Sequence, residues 1–241
     1  MNRIERFNFV DWGRRPYTES IHEMLEHLER RIKEQDKDAV FLVEHDPVIT
    51  MGRRGRREHL VGTLDREGRK IGGIPVVETD RGGDVTLHSP GQLVIYPVIA
   101  LSVKEQRLHD LLGAYEELVI RIALDFGIRA FRVRGKTGAW TSNGKLASIG
   151  IHLRRWVTYH GIALNVSNDL SLFDNIIPCG LRGIKMTGLE KETGRRIDIT
   201  EVKRSVLNHF PSVWEDFRQR RITPHSTSNT LNSTGAGMAP K

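Results

Sequence analysis

Between residues 39 and 166 the chain is a series of short β-branched stretches closed off by glycine and proline, and this punctuation limits what it can fold into. "AVFLVEH" (39–45) has the make-up of a buried strand, and "PVITMG" continues extended. Glycines and charges dominate 52–73, which reads as a long loop with room for one helical turn. "IPVVETD", "DVTLH" and "GQLVIYPVIAL" follow as strands, and their Gly and Pro spacers suggest a meander. "IRAFRV", "TGAW", "KLASIGIHLRR" and "WVTYHGIALNV" read the same way, with Asn143-Gly144 as the hairpin signal between two of them. Two stretches carry helical spacing instead: Ile21, Leu25, Leu28 and Ile32, and then Leu111, Leu112, Tyr115, Leu118, Val119, Ile122 and Phe126 with Gly127 as a stop. Thr200 is placed to cap a last helix through "EVKRSVLNHF". Strands joined by tight turns, with helices inserted, predict an α+β fold: a mainly antiparallel or mixed sheet with helices packed on it.

A length of 241 residues suits one large domain. We expect a single domain over residues 1–222 and a disordered tail at 223–241, where "TPHSTSNTLNSTGAGMAPK" has almost nothing to bury. No apolar run approaches the roughly 20 residues of a membrane span. The N-terminus has arginines but no apolar core, and Glu5 and Asp11 argue against a transit peptide. One cysteine cannot close an intramolecular disulfide, which suits a reducing compartment. The expectation is a cytoplasmic protein with no membrane association. The formal net charge of +7 predicts an anionic partner. Its basic residues fall in short clusters, such as Arg53-Arg54 with Arg56-Arg57, without the long basic run or interleaved aromatics of a nucleic-acid binder. There is no zinc-ligand spacing, so neither nucleic acid nor a metal is expected.

Several stretches could carry chemistry. "IIPCGLRG" (176–183) holds the only cysteine, Cys179, with no histidine near it in sequence. A lone cysteine is commonly a small buried hydrophobe. "TMGRRGRREH" is a flexible cationic loop, able to cover a phosphate or face water. In "DRGGDVTLHSPGQL" (80–93) two glycines allow close approach of backbone to a ligand. Strand alternation there puts Val85 and Leu87 on one face and Asp84, Thr86 and His88 on the other. Lys145 follows a hairpin turn, where solvent is the default fate of a lysine. Gly161 interrupts a strand, which suggests a bulge or close backbone approach to something bound.

Together, and in this order, "LVEHDPVIT", "RGGDVTLHSPGQL", "GAWTSNGKLASIGIHLRRWVTYHGIALNV" and "NIIPCGL" resemble the octanoyltransferases of lipoate biosynthesis, over roughly residues 8 to 215. The resemblance implies the fold of the biotin and lipoate protein ligase catalytic domains. It implies transfer of an octanoyl group from acyl carrier protein to a lysine of a lipoyl domain, carried by 2-oxoacid dehydrogenase complexes or the glycine cleavage H protein, with no cofactor. Cys179 would be the acyl-thioester nucleophile and Lys145 the amine that favours its thiolate. Arg81, Gly82, Gly83, Asp84, Val85, Thr86, Leu87, His88, Ser148, Ile149, Gly150, Gly161, Ile162 and Ala163 would line the substrate pocket. The chain departs from the family pattern at Leu87, where tyrosine is common, and at Ser89, where glycine is.

The implied cycle starts with attack of the Cys179 thiolate on the donor thioester. Once acylated, Cys179 no longer opposes Lys145 with an anion, so the free amine could take a proton from the incoming lysine. Backbone amides near Ser148-Ile149-Gly150 and around Gly180 are candidate oxyanion donors, and His88 is a further donor or orienting group. Three other readings compete: an ATP-dependent lipoate or biotin ligase on the same fold, a cysteine hydrolase, and a non-catalytic nucleic-acid-binding protein.

Overall fold

A computed structural model describes residues 6–222, so the expected tail at 223–241 lies outside the described residues. The chain opens with β1 (Asn8–Arg15), α1 (Tyr17–Ile32), β2 (Ala39–His45) and β3 (Val48–Met51). A one-turn helix at Arg57–His59 interrupts the long loop, followed by β4 (Lys70–Ile71), β5 (Ile74–Glu78), β6 (Val85–His88) and β7 (Gln92–Val98). Then come α2 (Leu108–Asp125), β8 (Phe131–Val133), β9 (Lys136–Thr141), β10 (Gly144–Arg154) and β11 (Val157–Asn165). Short turns lead to α3 (Leu189–Thr193) and α4 (Ile199–Arg218).

The strands form two sheets. One has seven strands in the order β1-β2-β7-β11-β10-β9-β8, and the other has four, β4-β5-β3-β6. Among these strands β1 with β2 and β3 with β5 pair in parallel, and the other pairs are antiparallel. The expected α+β fold with a mixed, mainly antiparallel sheet is observed. Its continuous apolar strands follow from burial on both faces of the large sheet. On β2, Val40 and Leu42 join a core built with α2 and α4, while Ala39, Phe41 and Val43 pack with Met24 and Leu28 of α1.

The meander expected over 74–101 does not form. β5 pairs parallel to β3, β6 pairs antiparallel to β3, and β7 crosses into the large sheet between β2 and β11. β-branched residues mark where strands lie, but partners are chosen by which apolar faces must be covered, and β6 and β7 cover different cores. The hairpin is also one residue earlier than its signal. Gly144 pairs with Thr141, so Ser142 and Asn143 are the loop. The last helix is capped by the Asp198 side chain, which accepts from the Thr200 N–H, and it runs on through Pro211. Gly161 marks no bulge: β10 and β11 pair in unbroken register from Ala147↔Leu164 to Arg154↔Val157. A Cβ at 161 would lie 2.1 Å from the Ile95 carbonyl oxygen, so what approaches it is the neighbouring strand β7.

Candidate active site

Lys145 is the second residue of β10, paired with Trp140 of β9 and followed by a register shift. It is 1 % exposed, contrary to the solvent position expected after a turn. The burial has a backbone cause. The segment 185–187 closes over it, with the Lys145 N–H donating to the Lys185 carbonyl at 2.8 Å and the Thr187 N–H donating to the Lys145 carbonyl at 3.0 Å. Its Nζ donates to the Thr137 carbonyl at 2.9 Å and to Cys179 Sγ at 3.1 Å, and lies 5.2 Å from the Trp140 ring centre. These are the contacts an ammonium makes.

Cys179 occupies a one-turn helix, Pro178–Gly180, with φ 57° and ψ 19°. Non-glycine residues rarely take this left-handed conformation, and such strain persists only where the surroundings enforce it. Here both flanks are tied down. Upstream, the Ile177 N–H donates to the His59 carbonyl at 2.7 Å, and downstream the chain is fastened along Lys145. Gly180 follows with φ +68°, and a Cβ there would lie 2.6 Å from Asp84 Oδ2.

The pair opens on a cavity of about 910 Å³. Arg81, Gly82, Gly83, Asp84, Val85, Thr86 and His88 line it from β6 and the loop before it, and Ser148, Ile149, Gly150, Gly161, Ile162 and Ala163 line it from β10 and β11. Leu87 is excluded. It is fully buried with Ile49 and Phe173 in the core of the small sheet, on the strand face opposite Thr86 and His88, a face from which Val85, next to the glycine loop, still meets the cavity. Val94, Leu108 and Leu112 add apolar wall, and Arg53, Arg54, Arg56 and Lys136 supply positive charge. The sequence marked the cationic loop that carries Arg53, Arg54, Arg56 and His59, and the stretch that carries His160, without assigning these residues to the site. Val94, Leu108, Leu112, Lys136, Tyr17 and Tyr96, by contrast, come from segments with no local signature of a site.

Arg81 is buried and donates to the Thr50 carbonyl and hydroxyl and to the Gly82 carbonyl, all of them neutral acceptors. Burial pushes its pKa down. His88 is not the donor the sequence suggested. Gln92 Nε2 donates to the Leu87 carbonyl and to Asn165 Oδ1, while Asn165 Nδ2 donates to the Thr187 carbonyl. Since backbone carbonyls can only accept, this chain fixes both amides and turns Gln92 Oε1 toward His88 Nδ1 at 2.8 Å. Nδ1 therefore carries the proton. Burial holds the imidazole well below its ordinary pKa, so the neutral ring offers Nε2 only as an acceptor.

The oxyanion donors can also be narrowed. The Gly180 and Leu181 amides are engaged within their own turn, donating to Ile177 and Pro178 at 3.0 and 3.1 Å. On β10, pairing with β9 ends at Ala147↔Ala139. The Ile151 carbonyl points away from β11 and accepts from Gly82 N–H at 2.9 Å. N–H and C=O groups alternate sides along an antiparallel strand, so the Ile149 N–H faces the same open edge.

The family profile described as the lipoyl protein ligase A/B catalytic domain matches residues 17–211. The chain is 41% identical over 208 residues to an octanoyltransferase of Maridesulfovibrio salexigens, covering 86% of this chain and 96% of that one. It is 48% identical over 179 residues to an octanoyltransferase of Geobacter metallireducens, covering 74% and 80%. Among solved structures, a putative lipoate protein ligase from T. acidophilum superposes with a TM-score of 0.67 at 17% identity, over 87% of this chain and 86% of that one. Lipoate-protein ligase A bound with ATP gives 0.65 at 17% identity, over 87% and 85%. Those ligases share the fold, and the two far more similar relatives share a name. The chain therefore belongs to the octanoyltransferases within the lipoyl protein ligase A/B catalytic-domain family, acyltransferases of lipoate biosynthesis.

Proposed function

We propose that this protein, working as one domain over residues 1–222 in the cytoplasm, moves an octanoyl group from acyl carrier protein to a lysine of a lipoyl domain through an octanoyl-Cys179 thioester. Its acceptors are the lipoyl domains of 2-oxoacid dehydrogenase complexes and the glycine cleavage H protein. The reading rests on the 3.1 Å contact of Lys145 Nζ with Cys179 Sγ at the cavity wall. An ammonium at that distance favours the thiolate, the nucleophilic form of cysteine. Sγ attacks the donor carbonyl, the tetrahedral oxyanion takes the Ile149 N–H, and collapse releases the donor thiol. The acceptor amine then attacks the acyl-Cys179 carbonyl and returns the thiolate to its place beside Lys145. A thioester becomes an amide, which runs downhill without ATP.

Val94, Leu112, Ile149, Ile162 and Ala163 supply apolar wall for the chain. Six methylenes at about 0.8 kcal/mol each contribute on the order of 5 kcal/mol. The basic mouth suits acidic donor and acceptor domains, and favours encounter more than affinity.

Intact mass spectrometry after mixing with octanoyl-acyl carrier protein tests the reading. Wild type should gain one octanoyl group labile to hydroxylamine, Cys179→Ala none, and Lys145→Ala should acylate at least about 100-fold more slowly. The likeness to a ligase bound with ATP, together with the arginine-rich loop at the cavity mouth, favours one alternative, ATP-dependent ligation of free acid. Turnover that requires ATP and survives Cys179→Ser would replace our reading with that one.

A further inference from the structure

The Cys179–Lys145 pair leaves two proton transfers to be assigned: one onto the departing donor thiol and one off the incoming amine. Lys145 is poorly disposed to carry them, since its Nζ is committed to the Thr137 carbonyl, to Sγ and to the Trp140 face. The same cavity wall holds a second pair, His59 and Asp84. His59 Nδ1 lies 2.7 Å from Asp84 Oδ2, with both side chains 13% exposed. The contact is short but poorly directed, and among the described residues the buried Nδ1 has no other partner. Asp84 is held in turn through Oδ1, which accepts from the Val85 N–H at 2.8 Å and the Arg56 N–H at 3.3 Å. The His59 carbonyl accepts from Ile177 N–H, so the imidazole and the turn bearing Cys179 are mounted on one another. The bare Gly180 lets the ring come close: a Cβ there would lie 2.9 Å from His59 Cε1. Among the described residues, Nε2 has only the exposed Glu58 carboxylate within ion-pair reach, at 3.9 Å.

A histidine with Nδ1 against a carboxylate, Nε2 free and a cysteine nucleophile on the adjoining turn is the layout of a proton carrier. Building on the acyl-cysteine reading above, we propose that His59, oriented by Asp84, protonates the departing thiol and later receives the proton of the acceptor amine. In the first half, the Sγ–C bond forms and the donor C–S bond breaks. Its electron pair goes to the leaving sulfur, and the Nε2 proton of the imidazolium follows, giving a thiol and a neutral imidazole. In the second half the amine nitrogen bonds to the acyl carbon and the Cys179 S–C bond breaks. The amine proton passes to Nε2 and the thiolate is restored. With its Nζ held to the Thr137 carbonyl and to the sulfur, Lys145 leaves the incoming lysine's proton to His59. Asp84 acts through His59 as a positioning residue.

Leaving-group dependence tests this. An alkyl thiolate with no cation beside it, unlike that of Cys179, is helped by a proton as it departs, whereas an aryl thiolate, the anion of a much stronger acid, gains little from one. Single-turnover acylation of Cys179 is followed by mass spectrometry with S-octanoyl pantetheine and with S-octanoyl thiophenol. Wild type should acylate with both, and its failure with both would count against the acyl-cysteine reading itself, whatever His59 does. His59→Ala and His59→Gln should lose about 100-fold with the pantetheine thioester but less than about threefold with the thiophenol thioester. Asp84→Asn should show the same selectivity with a smaller loss. The aryl donor doubles as a control for folding. Equal losses with both donors, or no loss with pantetheine, would overturn the assignment.

Discussion

Burial pushes the pKa of the His45 imidazole down to about 4. The ring is fully enclosed, with Nε2 2.8 Å from the Tyr96 hydroxyl and Nδ1 3.3 Å from the Arg15 carbonyl. The unfolded chain takes up a proton here near pH 6.5, while the native ring stays neutral down to about pH 4. Stability is therefore complete above pH 6.5, falls as the pH drops toward 4, and levels off below. The difference corresponds to about 3 kcal/mol. Burial lowers His88 and His160 in the same direction, so these two cavity histidines add to the acid sensitivity. His45→Gln removes one share of this. Urea unfolding at pH 7 and pH 4.5 should show the variant losing about 2 kcal/mol less than wild type over that interval. At the same scale, Asp80 accepts from Tyr159 and His160, and the His160 hydrogen bond leads in holding its carboxyl below the usual carboxylate range.

The site depends on how the end of β11 meets segment 185–187. Asn165 closes that strand and donates to the Thr187 carbonyl at 2.9 Å, while its Oδ1 accepts from Gln92 of β7 at 2.8 Å. One side chain thus joins two strands of the large sheet to the segment that encloses Lys145. Asn165→Leu strips a donor from a buried carbonyl and an acceptor from a buried amide, at a cost of about 2 to 4 kcal/mol. A lower urea midpoint with an unchanged slope would report that loss. Acylation of Cys179 should slow as well, because Lys145 loses the frame that keeps it against the sulfur.

Over the whole molecule, a net charge of +7 becomes useful where the fold gathers it. Arg53, Arg54, Arg56 and Lys136 come from two distant stretches and meet at one cavity. Arg53 is further held by His152 Nε2 at 3.2 Å. Such a field accelerates encounter with an acidic protein and is screened over about 8 Å at physiological salt. Raising ionic strength from 50 to 500 mM should cut kcat/KM for octanoyl-acyl carrier protein by about tenfold or more, and leave S-octanoyl pantetheine nearly unaffected. Arg54→Ser with Arg56→Ser should flatten the first dependence. An equal response of both donors would remove the docking role from this rim. No helix among the described residues is long and apolar enough to cross a membrane.

By itself the sequence determined what is local. α2 ends at Asp125 with Gly127 at φ +73°, and β2 spans the residues its composition marked, because spacing, turn chemistry and apolar runs act over a few residues. The motif order also carried the family, since the residues that identify it lie in short contiguous stretches. Pairing and burial were decided only by the tertiary structure. β6 and β7 look alike in sequence yet join different sheets, and Lys145 looks like a surface lysine yet is enclosed by a segment that follows Cys179. His59 ends a loop the sequence marked only for its arginines: its ring becomes meaningful only once Asp84 and the Cys179 turn are folded around it. Contacts between residues remote in the chain depend on which faces must leave water, and that is a property of the assembled core.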